Sequence, residues 1–196
     1  MTRIALLRHF PTAWNAEGRL QGRTDIPLSA ASREALAALA LPPPWTDGPF
    51  IASPLARAQE TARALAPPGA QIALDPRLTE FDFGEWEGRV GADLLADPAC
   101  AYGPVETWGP DFRPPGGESV SELAARVAEA LAERARPGAV FVLHRGVMRA
   151  ILALATGWEW RGPEPFRIKR AALHPVDLDA AGRPVAAHAP VKLVPR

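Results

Sequence analysis

The run Ala139-Val140-Phe141-Val142-Leu143 predicts a buried β-strand and leads directly into His144-Arg145-Gly146. Consecutive apolar residues without alternation are typical of a strand that is covered on both faces of a sheet. A second such run, Arg3-Ile4-Ala5-Leu6-Leu7, ends at Arg8-His9. Two predicted strands are therefore each followed at once by a histidine that has an arginine beside it.

Further strand and helix patterns alternate along the chain. Short strands are predicted over residues 50–52, 72–74 and 167–176. Helices are predicted over residues 29–41, 53–66, 119–136 and 147–155, the first of them ended by the prolines at 42–44. Ser53-Pro54 would supply an N-cap followed by a proline at the first helical position. Ser119 and Glu122 have the spacing of a capping box.

Strands that alternate with helices predict an α/β fold, with a mainly parallel sheet flanked by helices on both faces. The length of 196 residues fits a single domain over residues 1–196. Residues 88–117 are irregular and rich in proline and glycine, with one helical turn expected near 93–96. We expect this segment to form a small, loop-rich substrate cap, because loops of this length are usually functional or disordered.

Charge and composition exclude several classes of protein. The 22 basic and 22 acidic residues give a net charge of zero, without the concentrated basic face that nucleic-acid binding needs. No apolar run approaches the roughly 20 residues that span a bilayer, and the segment 1–7 lacks the layout of a signal peptide. Cys100 is the only cysteine, so no intrachain disulfide can form. We therefore expect a cytoplasmic protein without a nucleic-acid or membrane partner.

The carboxyl ends of the predicted strands carry residues that suit an anion. Ligands of parallel sheets bind beyond these strand ends, so Arg8-His9, the turn from Ser53 to Arg57 and His144 should meet at one edge. Arg57 lies near the start of a predicted helix, where free backbone N–H groups and the helix dipole favour negative charge. A guanidinium adds two aligned donors. The pattern predicts an anion site.

Each of these residues also has a structural interpretation. A lone histidine after a strand is more often structural than catalytic, and an arginine near a helix start can be a solvated surface residue.

A metal site is the next alternative to an anion site. The other two histidines are His174 and His188, and none of the four has H-x-H or H-E-x-x-H spacing, so no metal site is predicted. The acidic stretch from Glu80 to Glu87 could contain a catalytic carboxylate, and spacing alone does not choose which.

The motif Leu7-Arg8-His9-Phe10-Pro11-Thr12-Ala13-Trp14-Asn15 resembles the signature of the histidine phosphatase superfamily, which has the phosphoglycerate mutase-like fold. Further matches follow in the order of that family. They are Arg19-Leu20-Gln21-Gly22, Asp25, Pro27-Leu28-Ser29, Ser53 through Ala62, Leu78 through Gly88, Pro115 through Ser119, and His144 through Val147. Together they span most of the chain from Leu6 to Val147.

The resemblance implies the chemistry of the site. His9 is expected to be the nucleophile that becomes phosphorylated, and Glu80 is expected to be the proton donor. Three groups, Arg8, Arg57 and His144, are expected to hold the phosphoryl oxygens. No metal or other cofactor is implied, because arginine side chains stay charged and match phosphate oxygens. The expected partner is a small phosphorylated metabolite.

The resemblance further assigns Asn15 and Gln21 to polar contacts with the phosphate. The chain departs from the family at two places. Phe10-Pro11 stands where the family usually has Gly-Glu, which should alter the cavity wall beside His9. Arg145 stands where the family usually has glycine. We expect Arg145 to point away from the site, because the strand-to-helix turn continues with Gly146; the alternative is an added cation for the substrate.

The leading function is hydrolysis of a small phosphate monoester without a metal. A phosphoglycerate mutase shares the chemistry of His9 but usually carries a longer insertion after the catalytic glutamate. The stretch from Glu80 to Trp86, with Phe166-Arg167-Ile168, resembles α-ribazole phosphatases. A module that binds phosphorylated ligands without turnover is the alternative outside catalysis. The sequence leaves the oligomeric state open.

Overall fold

The chain forms nine strands and six α-helices, and the computed structural model describes all 196 residues. The strands are β1 (Thr2–Arg8), β2 (Leu39–Ala40), β3 (Phe50–Ala52), β4 (Ile72–Leu74), β5 (Val140–Leu143), β6 (Ala172–Leu178), β7 (Pro184–Ala187), β8 (Val191–Lys192) and β9 (Val194–Pro195). The helices are α1 (Ala13–Ala16), α2 (Ala30–Ala37), α3 (Ala56–Leu65), α4 (Gly91–Ala96), α5 (Val120–Arg134) and α6 (Arg145–Thr156).

Seven strands form one sheet in the order β4-β3-β5-β1-β6-β7, with β8 also paired to β6. Strands β4, β3, β5 and β1 run parallel to one another, whereas β6 runs antiparallel to β1. Strands β7 and β8 both pair antiparallel with β6. The predicted α/β fold is confirmed, with an antiparallel extension on one side of the parallel strands. The carboxyl ends of β1 and β5, which precede His9 and His144, lie side by side.

Alternate side chains of β1 enter two hydrophobic cores. Leu6 packs in the core that contains Leu123 of α5 and Ile151 of α6. Leu7 packs in the core that contains Leu36 of α2 and Ala62 of α3. Because successive side chains of a strand point to opposite faces, these contacts place helices on both faces of the sheet, as predicted.

Helix α2 is shorter than predicted. It ends at Ala37 rather than at residue 41, and residues Leu39–Ala40 instead form strand β2 with β9 at the other end of the chain. Alanine and leucine favour a helix here, but the backbone pairing with the distant segment takes over. The prolines at 42–44 therefore do not end this helix.

The starts of α3 and β6 also differ from the sequence prediction. Helix α3 begins at Ala56, with Leu55 as an N-cap that offers no side-chain hydrogen bond, so Ser53 is not its cap. Asp25 takes that role from a distant segment, since its Oδ1 accepts from the Ala56 N–H at 2.7 Å. Strand β6 begins only at Ala172, and residues 167–171 form no strand. The capping box of α5 is present, with Ser119 and Glu122 as predicted.

The segment 88–117 contains helix α4 and a 3-10 turn at Val105–Thr107, and is otherwise irregular. Its chain is tied to the segment after α6 by hydrogen bonds from Gly109 N to the Trp160 carbonyl and from Gly162 N to the Glu106 carbonyl. None of the helices has the length and apolar character that a membrane crossing requires.

Candidate active site

His9 directly follows β1, and its ring is fixed by its own neighbour in the chain. Its Nδ1 lies 2.6 Å from the carbonyl oxygen of Phe10. A carbonyl only accepts, so Nδ1 carries the proton and Nε2 carries the free lone pair. Burial and the nearby Arg57 guanidinium hold the pKa of His9 well below the ordinary histidine value. The ring is therefore neutral, and Nε2 is available as a nucleophile.

His144 follows β5 and is fully buried, with its ring centroid 5.2 Å from that of His9. Its Nδ1 accepts from Arg57 Nε at 3.2 Å, so its proton lies on Nε2. Burial, together with Arg57 and His9, holds the pKa of His144 well below the ordinary value. The Nε2–H group has no protein partner although it is buried. It is a fixed donor beside the His9 ring.

Arg57 is fully buried, and the protein uses part of its guanidinium to hold a loop. Nη1 donates to the Thr24 carbonyl at 2.8 Å and Nη2 donates to the Gly22 carbonyl at 2.7 Å. A guanidinium has five N–H groups, and with the bond to His144 these contacts leave two of them. Arg57 can therefore bind an anion while it fixes the loop that borders the site.

Arg8 is half-buried and its Nε has no hydrogen-bond partner. Burial lowers the pKa of Arg8 to about 9, with repulsion from Arg170 and Arg145 as the next causes. A buried donor without a partner is destabilising, and a charged one more so. An oxyanion bound between Arg8 and His144 would satisfy both donors at once.

The Glu80 side chain packs against the first turn of α6 and does not face solvent. Its carboxylate accepts from Gly146 N at 3.1 Å and from Val147 N at 3.3 Å, and Oε1 also accepts from Phe81 N at 2.8 Å. These bonds satisfy free N–H groups of the helix N-terminus and fix the carboxylate at the cavity that His9 also lines.

Gly146 is needed because Glu80 lies so close. A Cβ at position 146 would lie 2.5 Å from Glu80 Oε1 and 3.0 Å from the Phe81 Cβ. We expect Gly146→Ala to displace the carboxylate and lower kcat about 10²-fold, as a displacement of about 1 Å can do. Steady-state kinetics would measure this. Gly91→Ala is the control, since its Cβ meets only ordinary contacts. Equal activity of the two variants would contradict the placement of Glu80.

Asn15 and Gln21 line the same cavity, and Thr12 fixes both of their amide groups. The Asn15 side-chain oxygen accepts from the Thr12 N–H at 3.1 Å, and the Gln21 oxygen accepts from the Thr12 hydroxyl at 2.9 Å. With both oxygens engaged, the amide N–H groups remain as donors.

The cavity has a volume of about 360 Å³ and is lined by most of the predicted site residues, including Arg8, His9, Arg57 and Glu80. His144 lies behind the lining. Segment 88–117 covers the other side, with lining residues from Leu95 to Trp108.

One wall of the cavity is aromatic. Trp108 stacks on Trp160 with the ring planes 5° apart, and Trp160 has a φ of 58°, an uncommon value for a side chain of that size.

No group of three or more His, Cys, Asp or Glu side chains is arranged to hold a metal ion. The donors around His9 are arginine, histidine and amide N–H groups, which suit an anion.

Comparison with known proteins decides the family. Residues 4–189 match the profile of the histidine phosphatase superfamily, branch 1. The chain belongs to this family. It is 35% identical over 187 residues to "Probable phosphoglycerate mutase GpmB" of Enterobacter sp. (strain 638), an alignment that covers 90% of this chain and 85% of that protein.

Solved structures of histidine phosphatase relatives resemble the chain over nearly its full length. The crystal structure of phosphoglycerate mutase from Thermus thermophilus has a TM-score of 0.75 at 31% identity, and the match covers 98% of this chain and 100% of that one. "A putative alpha-ribazole-5'-P phosphatase" from Escherichia coli has a TM-score of 0.77 at 25% identity, with 98% of each chain covered. The relatives therefore carry both mutase and phosphatase names.

Two expectations about departures from the family pattern were wrong. Phe10 is buried in the hydrophobic core and neither it nor Pro11 lines the cavity, so the wall beside His9 is not altered by their side chains. The Phe10 carbonyl instead fixes His9. Arg145 does not point away. Helix α6 begins at Arg145, two residues earlier than predicted, and this first helical residue projects beyond the strand end into the cavity lining.

Sequence analysis assigned no role to a residue that supports the candidate site of this member of the histidine phosphatase superfamily. Glu87 accepts from the N–H groups of Arg23 and Thr24, while Arg57 binds carbonyls of the same loop. A Cβ at Gly22 would lie 1.8 Å from the Glu87 carboxylate, so glycine is required there. Glu87 belongs to the acidic stretch already singled out, but only the fold shows which loop it holds.

Proposed function

We propose that this chain is a metal-independent phosphatase that hydrolyses a small phosphate monoester through a phosphohistidine on His9. The observation that carries the proposal is the state of His9: a neutral ring whose Nδ1 proton is held by the Phe10 carbonyl, beside buried donors without partners on Arg8 and His144. Such donors, held in place by the fold, stabilise the charge that develops on a transferring phosphoryl group.

In the first step, the lone pair of His9 Nε2 forms a bond to phosphorus as the ester P–O bond breaks. The N–H groups of Arg8, Arg57 and His144 hold the phosphoryl oxygens. Glu80 enters this step as a carboxylic acid at the same cavity, and its proton passes to the leaving alkoxide. Proton transfer by a positioned side chain supports the departure of a poor leaving group.

In the second step, water attacks the phosphohistidine. Glu80, now a carboxylate, takes a proton from that water as the new P–O bond forms and the N–P bond breaks. The lone pair returns to Nε2, so ester and water give alcohol and inorganic phosphate. The Asn15 and Gln21 amide N–H groups supply further contacts to the phosphate oxygens.

The direct test is release of inorganic phosphate from an aryl phosphate by the purified protein. We expect release that is unaffected by EDTA and inhibited by vanadate, which can occupy the oxyanion donors. Activity that disappeared with EDTA and returned with zinc or magnesium would contradict the metal-free mechanism. Phosphate binding without any release would support a binding module instead.

A phosphoglycerate mutase is the second candidate, because both GpmB and the Thermus enzyme carry that name. A mutase must keep water from its phosphohistidine. Here segment 88–117 provides only α4 and a single 3-10 turn at the cavity, and Leu95, which borders the opening, is 56% exposed. Such a partial cover would leave the phosphohistidine accessible to water, which favours hydrolysis over the mutase reaction.

We therefore expect 3-phosphoglycerate, supplied with a trace of 2,3-bisphosphoglycerate, to give free phosphate rather than 2-phosphoglycerate. Phosphorus NMR would follow both products in one sample. Rapid formation of 2-phosphoglycerate with little free phosphate would assign the chain to the mutases. The aromatic wall makes α-ribazole 5'-phosphate another substrate to include in the panel, since stacked rings suit a flat aromatic group.

A further inference from the structure

The peptide that joins His9 to Phe10 is held at both of its polar atoms by side chains from distant segments. Its carbonyl oxygen, on His9, accepts from Nη1 of Arg170 at 3.1 Å. Its N–H group, on Phe10, donates to the hydroxyl oxygen of Thr61 at 3.1 Å. Neither Arg170 nor Thr61 lines the cavity, so neither is placed to contact a bound substrate. The contact with the site that they share is this peptide.

The orientation of this peptide sets the geometry of the His9 ring. The ring donates from Nδ1 to the Phe10 carbonyl at 2.6 Å, and the covalent path between these two atoms runs through the His9–Phe10 peptide. A rotation of that peptide therefore moves the carbonyl relative to Nδ1. It would loosen the bond that keeps the proton on Nδ1 and leaves Nε2 free.

Thr61 is committed to its contact with this peptide. It is fully buried in α3, and its own hydroxyl proton goes to the Arg57 carbonyl at 2.8 Å. The hydroxyl oxygen can then only accept, and the Phe10 N–H is the donor that it meets. Because Arg57 is expected to bind phosphate, one turn of α3 carries both that ligand and a support of the nucleophile.

Arg170 reaches His9 because β6 runs antiparallel to β1. Leu7 pairs with Leu173, so the residues just before β6 lie beside those that follow β1. Ala171 lies at this place with a φ of 48°, a value that residues other than glycine rarely adopt. Backbone strain of this kind persists only where the surrounding structure imposes it, and it is concentrated at functional sites.

The charge of Arg170 is also in an unfavourable place. Burial lowers the pKa of Arg170, and repulsion from Arg145 lowers it further. Its guanidinium forms no ion pair and makes a single hydrogen bond, the one to the His9 carbonyl. A partly buried cation without a counterion is destabilising. A residue that breaks a local rule in this way indicates that its one contact matters for function.

We propose that Arg170 and Thr61 are positioning residues that clamp the His9–Phe10 peptide and thereby hold Nε2 of His9 in place for attack on phosphorus. The proposal rests on the proposed function, which makes His9 the nucleophile. A displacement of about 1 Å at a reacting atom can lower the rate about 10²-fold. Because both side chains hold the same peptide, loss of either one should release it.

Kinetics of an aryl phosphate with matched variants test the clamp. Arg170→Met and Thr61→Val should each lower kcat about tenfold, part of what a displacement of about 1 Å can cause. Inhibition by vanadate should be unchanged, because the oxyanion donors are intact. Arg170→Lys keeps a charged donor and Thr61→Ser keeps the hydroxyl, so both should retain most of the activity. The double variant should lose less than the product of the two single losses, because either change frees the same peptide.

Two control variants carry the same chemical changes elsewhere. Lys169→Met removes a positive charge from the exposed neighbour of Arg170. Thr156→Val removes a hydroxyl that, like that of Thr61, donates to the carbonyl four residues earlier in its helix. Both should keep the wild-type kcat. Full activity in Arg170→Met and Thr61→Val, losses that multiply in the double variant, or equal losses in the controls would overturn the clamp.

An NMR signal reports on the clamp without turnover. In protein labelled with ¹⁵N-histidine, the hydrogen-bonded Nδ1 proton of His9 should give a downfield ring signal, assigned by its loss in His9→Ala. This signal should broaden or shift in Arg170→Met and Thr61→Val and stay unchanged in both controls. An unchanged signal in the first two variants would overturn the clamp alone. A wild-type protein that released no phosphate would overturn the proposed function and, with it, the positioning role.

Discussion

The His9→Ala protein should lose phosphatase turnover by about 10⁴-fold or more, the scale seen when a catalytic nucleophile is removed. The reason is that Nε2 is the only nucleophile placed among the phosphoryl-binding donors, and the buried His144 ring cannot replace it because its Nε2 carries a proton. Phosphate release from an aryl phosphate measures the effect, with circular dichroism to show that the variant folds.

His188→Ala is the matched control for this substitution. His188 follows β7 and pairs with Asp177 at 2.8 Å, away from the cavity. We expect its activity to remain close to that of the wild type. A fully active His9→Ala protein would show that the nucleophile is another residue, whatever the family resemblance implies.

Glu80→Gln should have the second largest effect, a loss of roughly 10²- to 10⁴-fold in kcat. Both oxygens of Glu80 accept from backbone N–H groups, so the amide NH₂ of a glutamine would also meet a donor and be pushed aside. If Glu80→Gln acted only by displacing the side chain, it would slow the reactions of all substrates by the same factor. Loss of the proton donor should slow formation of the phosphohistidine more for an alkyl phosphate than for a nitrophenyl phosphate, whose leaving group needs no proton.

Single-turnover measurements on the two substrates separate these explanations. Asp82→Asn is the control, because Asp82 belongs to the same acidic stretch and pairs with Arg23. We expect a small effect there. If Asp82→Asn gave the large, leaving-group-dependent loss and Glu80→Gln did not, the role of proton donor would move to Asp82.

The parts of this structure that sequence could predict are those carried by local pattern. The apolar runs before His9 and His144 identify β1 and β5, and parallel pairing then brings both histidines to one edge. The capping box at Ser119 likewise depends on residues within one turn of helix. The apolar runs and the capping box are each recognisable from residues that are close in the sequence.

Contacts between distant segments account for what could not be predicted. Strand β2 forms because β9 pairs with it, and α3 begins at Ala56 because Asp25 accepts from its N–H. The position of Arg145 depends on where α6 starts, which a pattern fixes only to within a few residues. Arg145 lines the cavity because α6 begins two residues earlier than the sequence pattern predicts.

Mapping the phosphorylated atom would show directly whether His9 is the nucleophile. The wild-type protein would be mixed with substrate, quenched within one turnover into alkaline denaturant, and digested for mass spectrometry, with phosphorus NMR to assign the nitrogen. The hydrogen bond from Nδ1 to the Phe10 carbonyl predicts phosphate on Nε2 of His9 and on no other residue. Phosphate on Nδ1 of His9, on His144, or on no histidine at all during active turnover would contradict the account.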